Sequence, residues 1–139
     1  MARYEPGIAA LAKAALAKLR ARLPAACELV YDNYNALVIG FGPSERASDA
    51  IFSIALYPRW VTLFFLKGAT LPDPAKILKG SGKIVRHLVL ADASDLDKPV
   101  VRTLMAEALK RADPPFDPKA ESRLVIKSIS PKQRPRRPQ

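Results

Sequence analysis

The sequence is short of the residues that most reactive chemistry needs. Among 139 residues there is one cysteine, Cys27, and one histidine, His87. A disulfide framework is thereby excluded, and no zinc site of ordinary ligands can be assembled from this chain alone. A Cys–His catalytic pair would need those two side chains adjacent in space. Cys27 stands at a helix-to-strand junction and reads as a small buried hydrophobe. No G-x-S-x-G turn supports a serine nucleophile, and Ser44 and Ser48 in "GPSERASD" read as turn and cap residues. No apolar run approaches the roughly 20 residues that a membrane helix needs. Lys13, Lys18, Arg20 and Arg22 break up the apolar residues of the opening stretch, which is therefore no signal peptide. A cytoplasmic setting without membrane contact is the resulting expectation.

Acidic residues are also scarce, 13 against 23 Lys and Arg, for a formal charge of +10. The excess is uneven. From Lys119 onward seven basic residues face one acid, Glu121, whereas the preceding 118 residues hold sixteen basic and twelve acidic ones. Solubility is the plain reading of such a balance; attraction to nucleic acid or another polyanion is the sharper one. The densest acidic group is Asp92, Asp95 and Asp97. It lacks the turn glycine and closing glutamate of a calcium loop, and reads as helix initiation.

What is present follows the order helix, strands, helix, strand. In "GIAALAKAALAKLRARLP", Ile8, Leu11, Ala15, Leu19 and Leu23 recur at helical spacing, with Leu16 on the same face and Pro24 as the stop. "LVYDNYNALVIGFG" reads as two short strands around a turn at Asp32 and Asn33. "AIFSIALYP" and "WVTLFFLK" form a hairpin turned by "YPRW", and "KIVRHLVLA" is a further strand. Close neighbours of this kind pair antiparallel. Trp60, Thr62, Phe64 and Leu66 share one face of their strand, and Val61, Leu63 and Phe65 the other, so both sides need cover. "DLDKPVVRTLMAEALKRADPP" is a second helix, with Asp97 expected at the N-cap, Pro99 in the first turn, and Val101, Leu104, Met105, Ala108 and Ala112 as the buried stripe. "RLVIKSIS" is a last strand. The fold class is α+β: a two-layer sandwich with a curved antiparallel sheet of about five to six strands and two main helices on one face. Residues 1–130 form a single domain, and 131–139 a basic, proline-rich, disordered tail.

"ILKGSGKIVRHL", residues 77 to 88, invites a phosphate-loop reading and fails it. Position 77 is Ile, Lys83 is followed by Ile84 with no hydroxyl, and a strand follows where a helix should open. The turn reading has Gly80 capping a short helix "DPAKILKG" and Gly82 completing a tight turn. A looser possibility is that Lys67, Lys79, Lys83 and Arg86 converge on an anion near the glycines.

Residues 62–112 resemble the second half of the YdhG-like domain, a family largely of unknown function. The matching positions are Phe64, Phe65, Gly68, Leu71, Leu78, Gly80, Gly82, Lys83, Arg86 and His87. "AACELVYDNYNALVIGFG" is similar to the family's first half, and the resemblance spans about residues 5 to 113. It implies a compact α/β sandwich with a curved antiparallel sheet. Some members are similar to frataxin in fold and are associated with iron delivery. That activity rests on an acidic ridge along the first helix and strand, whereas this first helix is basic and would repel cations, so no iron ligand is carried over.

Four readings follow. The leading expectation is a non-catalytic module of the YdhG-like kind, without cofactor, that binds an anionic small ligand or a protein on its open sheet face. Tyr57, Trp60, Phe64, Lys67, Lys83, Arg86 and His87 are its candidate contacts. A homodimer would also cover a second apolar face. The alternative is a nucleic-acid-associated protein using Lys132, Arg134, Arg136 and Arg137 of the tail. An iron chaperone is the further alternative. An enzyme would need His87 as acid–base beside Asp73 or Tyr57, and is not expected.

Overall fold

A computed structural model of the chain describes residues 3–117 and 122–138. The lysine and glutamate that open the basic C-terminal stretch, at 119 and 121, lie outside the described residues. The chain runs α1 (Pro6–Arg22), β1 (Cys27–Asp32), β2 (Leu37–Gly42), β3 (Phe52–Leu56), β4 (Val61–Phe65), β5 (Arg86–Leu90), α2 (Pro99–Lys110) and β6 (Arg123–Ile129), with three short 3-10 turns between. The strands form one open sheet in the order β5-β4-β3-β2-β1-β6. The first five pair antiparallel, as expected, β1 to β4 in chain succession and β5 after the connection 66–85. β6 instead lies parallel to β1. It reaches that edge only after α2 and a long connection, which frees it from the hairpin constraint.

Both helices cover one face. Ala9, Ala12, Ala15, Leu16 and Leu19 of α1 are buried, and so are Val101, Leu104, Met105 and Ala108 of α2. The small residues let α1 lie close to Ile39, Phe41, Phe52, Ile54, Leu56, Val61, Leu63 and Phe65 of the sheet. Ile8 and Leu11 sit at the margin, only partly buried. Phe52 and Phe65 meet edge to face, with centroids 5.5 Å apart. Each fully buried side chain of this size contributes about 1.5–3 kcal/mol of transfer free energy.

The acidic stretch does not cap α2 in the expected way. Asp92 caps the 3-10 turn Ala93–Asp97 in a reciprocal capping box with Asp95. Lys98, not Asp97, occupies the N-cap of α2. The Asp97 carboxylate instead accepts hydrogen bonds from Lys18 at 2.6 Å, Arg22 at 2.7 Å and Arg102 at 3.2 Å. It thereby ties the end of α1 to the start of α2. Those cations hold the carboxyl below the usual carboxylate range, Lys18 foremost.

The opposite sheet face is largely covered, as the two apolar faces of β4 require, although the expected binding surface was an open sheet face. Cys27, Leu29, Ser53, Ala55 and Thr62 project from it, yet all five are buried. The loop 43–50 folds back over one end. A Cβ on Gly42 would stand 2.9 Å from the Ala50 Cα, so only glycine permits that approach. Arg123 and Lys127 of β6 reach the same loop, at the Glu45 carboxylate and carbonyl respectively. Small residues form the middle of the face, and Phe64 and His87 on its β4–β5 side are half-buried, as are Tyr31 and Val38 on its β1–β2 side.

Candidate functional site

The residues expected to form one site divide along the sheet. Trp60 precedes β4, and Arg86 pairs with Phe65 at its far end. Five residue steps separate those two positions, about 16 Å of extended chain. Trp60, Lys83 and Arg86 therefore do not converge.

The glycine-and-lysine corner satisfies its own polar groups. Lys79 bridges antiparallel to His87 through two backbone hydrogen bonds of 2.8 and 2.9 Å. The expected helix before Gly80 is replaced by an irregular stretch, because the Asp73 carboxylate captures the amides of Ile77 and Leu78. Gly80 still requires glycine, since its φ is +123°. Gly82 has an ordinary φ, and a Cβ there would meet nothing. The Arg86 guanidinium donates from Nη1 to the carbonyls of Gly82 at 2.6 Å and Val85 at 2.8 Å. It works as a backbone clamp. Lys67 and Lys83 are exposed on either side.

One ladder step in from Arg86, the Phe64 and His87 rings meet at a tilt with centroids 5.7 Å apart. Tyr57 lies four ladder steps along the sheet from Phe64, about 13 Å away. Both Asp73 oxygens are held by amides. Neither residue is thus poised as a proton partner for His87.

The other end of the sheet differs. The turn between β3 and β4 is closed by the Tyr57 amide donating to the Trp60 carbonyl at 2.9 Å. The Tyr57 and Trp60 rings stack at 5.5 Å with a 35° tilt, and Trp60 remains 46% exposed. Against this turn lies the C-terminal segment, expected from its composition to be disordered. Its backbone follows the β1–β2 turn: Ser130 donates to Asp32, and Arg134 to Tyr34, each at 2.8 Å. Arg136 is only 4% exposed. Its guanidinium pairs with the Asp32 carboxylate at 2.8 Å and donates to the Asn33 carbonyl at 2.6 Å. It also lies over the Tyr4 ring. Proline-rich chain gives up little entropy on docking, and the buried ion pair fixes its register.

Docking of this segment builds a cleft of about 570 Å³ lined by Asn35, Tyr57, Arg59, Trp60, Arg134 and Arg137, with Pro58, Pro135 and Pro138. Among the described residues, no carboxylate lines it. Among the described residues, none of the Arg59, Arg134 and Arg137 guanidinium groups pairs with an acid. Arg134 rests over the exposed Tyr34 ring, 5.6 Å from its centroid. The Arg137 Nε donates to the Arg3 carbonyl. Tyr57 and Trp60 from one expected site thus stand beside Arg134 and Arg137 from the other. Arg136 is committed to the fold, and exposed Lys132 lies outside the cleft. Arg59, Tyr34 and Asn35 were not singled out in the sequence. The position of Arg59 between Pro58 and Trp60 was the available signal.

Burial raises the Tyr4 phenol, which donates to the Leu56 carbonyl at 2.7 Å. The Glu28 hydrogen bond raises Arg20. Among the described residues, no three His, Cys, Asp or Glu side chains cluster closely enough to hold a metal ion, and no helix is long and apolar enough to cross a membrane. Searches of family models, curated proteins and solved structures return no match to this chain.

Proposed function

We propose that the protein is a non-catalytic binding module for an anionic ligand bearing a planar ring, held between the β3–β4 turn and the C-terminal segment. The observation that carries this reading is the exposed Trp60, stacked on Tyr57 in a cleft with three acid-free guanidinium groups. An indole face offers a planar group its stacking surface, and guanidinium forks suit phosphate or carboxylate. The working surface is thus the end of the sheet, in place of its broad face. The resemblance to the YdhG-like family accompanies this reading without supplying a ligand. A cytoplasmic setting goes with it, since the one cysteine is buried and unpaired.

Trp60 is the sole tryptophan, so its emission reports on the cleft directly. Adenosine 5′-monophosphate is expected to quench it, with adenosine and inorganic phosphate each binding at least tenfold more weakly. Unchanged emission with the nucleotide in large excess would contradict the reading.

A further inference from the structure

Resting on that reading, we infer that the cleft is built for a single strand of nucleic acid several nucleotides long. A lone nucleotide would leave much of it unused.

The charge count is the first reason. Arg59, Arg134 and Arg137 line the cleft without an acid, and Arg3 stands against Arg137, its guanidinium on the neutral Gln133 amide. One phosphate cannot engage all of the guanidinium groups spread over the β3–β4 turn and the C-terminal segment. Successive phosphates can.

The aromatic groups give the second reason. The Tyr57–Trp60 stack is one platform. Tyr34 is another, 48% exposed, on the β1–β2 turn beside the cleft residue Asn35, with the Arg134 guanidinium over its ring. Two platforms with arginine between them match alternating bases and phosphates. Bases reach such platforms only when unstacked from a duplex, which selects a single strand.

The third reason is continuity. Arg59 and Trp60 also line a second cleft, of about 720 Å³, running between α1 and the end of β5 along Ile8, Leu11 and Val89. A site for one nucleotide would end at the tryptophan. Here the surface passes across it, so that a chain can enter on one side and leave on the other. Among the described residues the second cleft carries Asp92 and no cation besides Arg59, which suits a base or sugar better than a phosphate.

The test uses the full chain and fluorescently labelled six-nucleotide strands, one of uridylate and one of thymidylate, read by anisotropy and by Trp60 emission. At least one strand is expected to bind tenfold or more tighter than the matching nucleoside monophosphate and to quench Trp60. Three or four phosphates held in this way give a slope of log affinity against log salt of about −2 to −3. Trp60→Ala should weaken the strand at least tenfold, and Trp60→Phe should restore it to within about threefold, since a phenyl ring still stacks. Trp60 sits exposed on a turn, and circular dichroism checks that both variants fold. If the monophosphate quenches Trp60 as tightly as the strands do, the inference falls and the binding-module reading stands. If a blunt duplex binds as tightly as the single strand, the inference also falls. If heparin matches the strands while Trp60 emission stays constant under every probe, charge alone is at work and both fall.

Discussion

The two ends of the sheet carry similar chemistry in opposite states. At one end Arg86, Lys83, Phe64 and His87 surround a glycine turn; at the other, Arg59, Arg134, Arg137, Tyr57 and Trp60 surround a proline turn. The Arg86 guanidinium is consumed by the carbonyls of its own loop, and Phe64 and His87 cover each other. Across the sheet, among the described residues, Arg59, Arg134 and Arg137 have no carboxylate partner, and the indole is half exposed. Basic and aromatic composition does not by itself mark a binding surface. What marks one is donors and rings that the fold leaves unspent.

That contrast can be broken experimentally. Replacing Arg134 and Arg137 together by Ala should weaken nucleotide or strand binding about 100-fold, roughly 2.7 kcal/mol for two charge-assisted contacts, with the melting temperature moved by only a few degrees. Calorimetric titration and thermal unfolding measure the two sides; undiminished affinity would erase the distinction between the ends. Gly80→Ala should do the reverse. Forcing a side chain into a φ of +123° costs on the order of 1–3 kcal/mol of stability, seen in urea unfolding, while affinity at the far cleft stays unchanged.

Asp32→Asn probes how the better end is assembled. It removes the carboxylate that holds buried Arg136 and should loosen the segment carrying Arg134 and Arg137. Affinity should fall about tenfold, near 1.4 kcal/mol. Limited proteolysis should then cut after residue 130 faster than in the parent protein. Cleavage at the parent rate with lowered affinity would mean that Asp32 acts otherwise.

The smallest effect concerns pH. The folded-state pKa of Asp97 lies below its unfolded value of about 3.9, so its stabilisation is complete above that value and is lost as pH falls through the folded pKa. Asp97→Asn should therefore flatten the acid limb of the urea midpoint against pH below about pH 4, and leave ligand affinity at neutral pH unaltered. An unchanged acid limb would remove Asp97 as the tie between the helices.

Much of the fold was legible in the sequence because its signals are local. The strand runs, the YPRW turn and the α2 stripe through Val101, Leu104, Met105 and Ala108 follow from periodicity and turn chemistry, and the structure has them where the pattern puts them. The α+β sandwich with both helices on one face follows from their order. The parallel docking of β6 does not, since it depends on which sheet edge remains free. Asp97 has the composition of an N-cap, but three cations from two helices outcompete the local hydrogen bond. Asp73 likewise turns a helical-looking stretch into a loop.

The candidate site was legible only in pieces. Tyr57, Trp60, Arg134 and Arg137 were each singled out, yet assigned to separate surfaces. What joins them is Arg136, read as one more tail cation. Nothing in "PKQRPRRPQ" reports that an Asp about a hundred residues earlier waits for it, because the pairing is long-range and electrostatic. That both faces of the sheet need cover was legible in β4, but what covers the second face was not. Gly42 lets the loop 43–50 fold over strands whose apolar pattern looked available.

The measurement closest to the central contrast is backbone amide NMR of the whole chain titrated with the six-nucleotide strand. Shift changes should gather at residues 34–35, 57–60 and 134–137, with residues 67 and 79–87 unmoved. Changes centred on the glycine-and-lysine corner, with the Trp60 turn silent, would contradict the account.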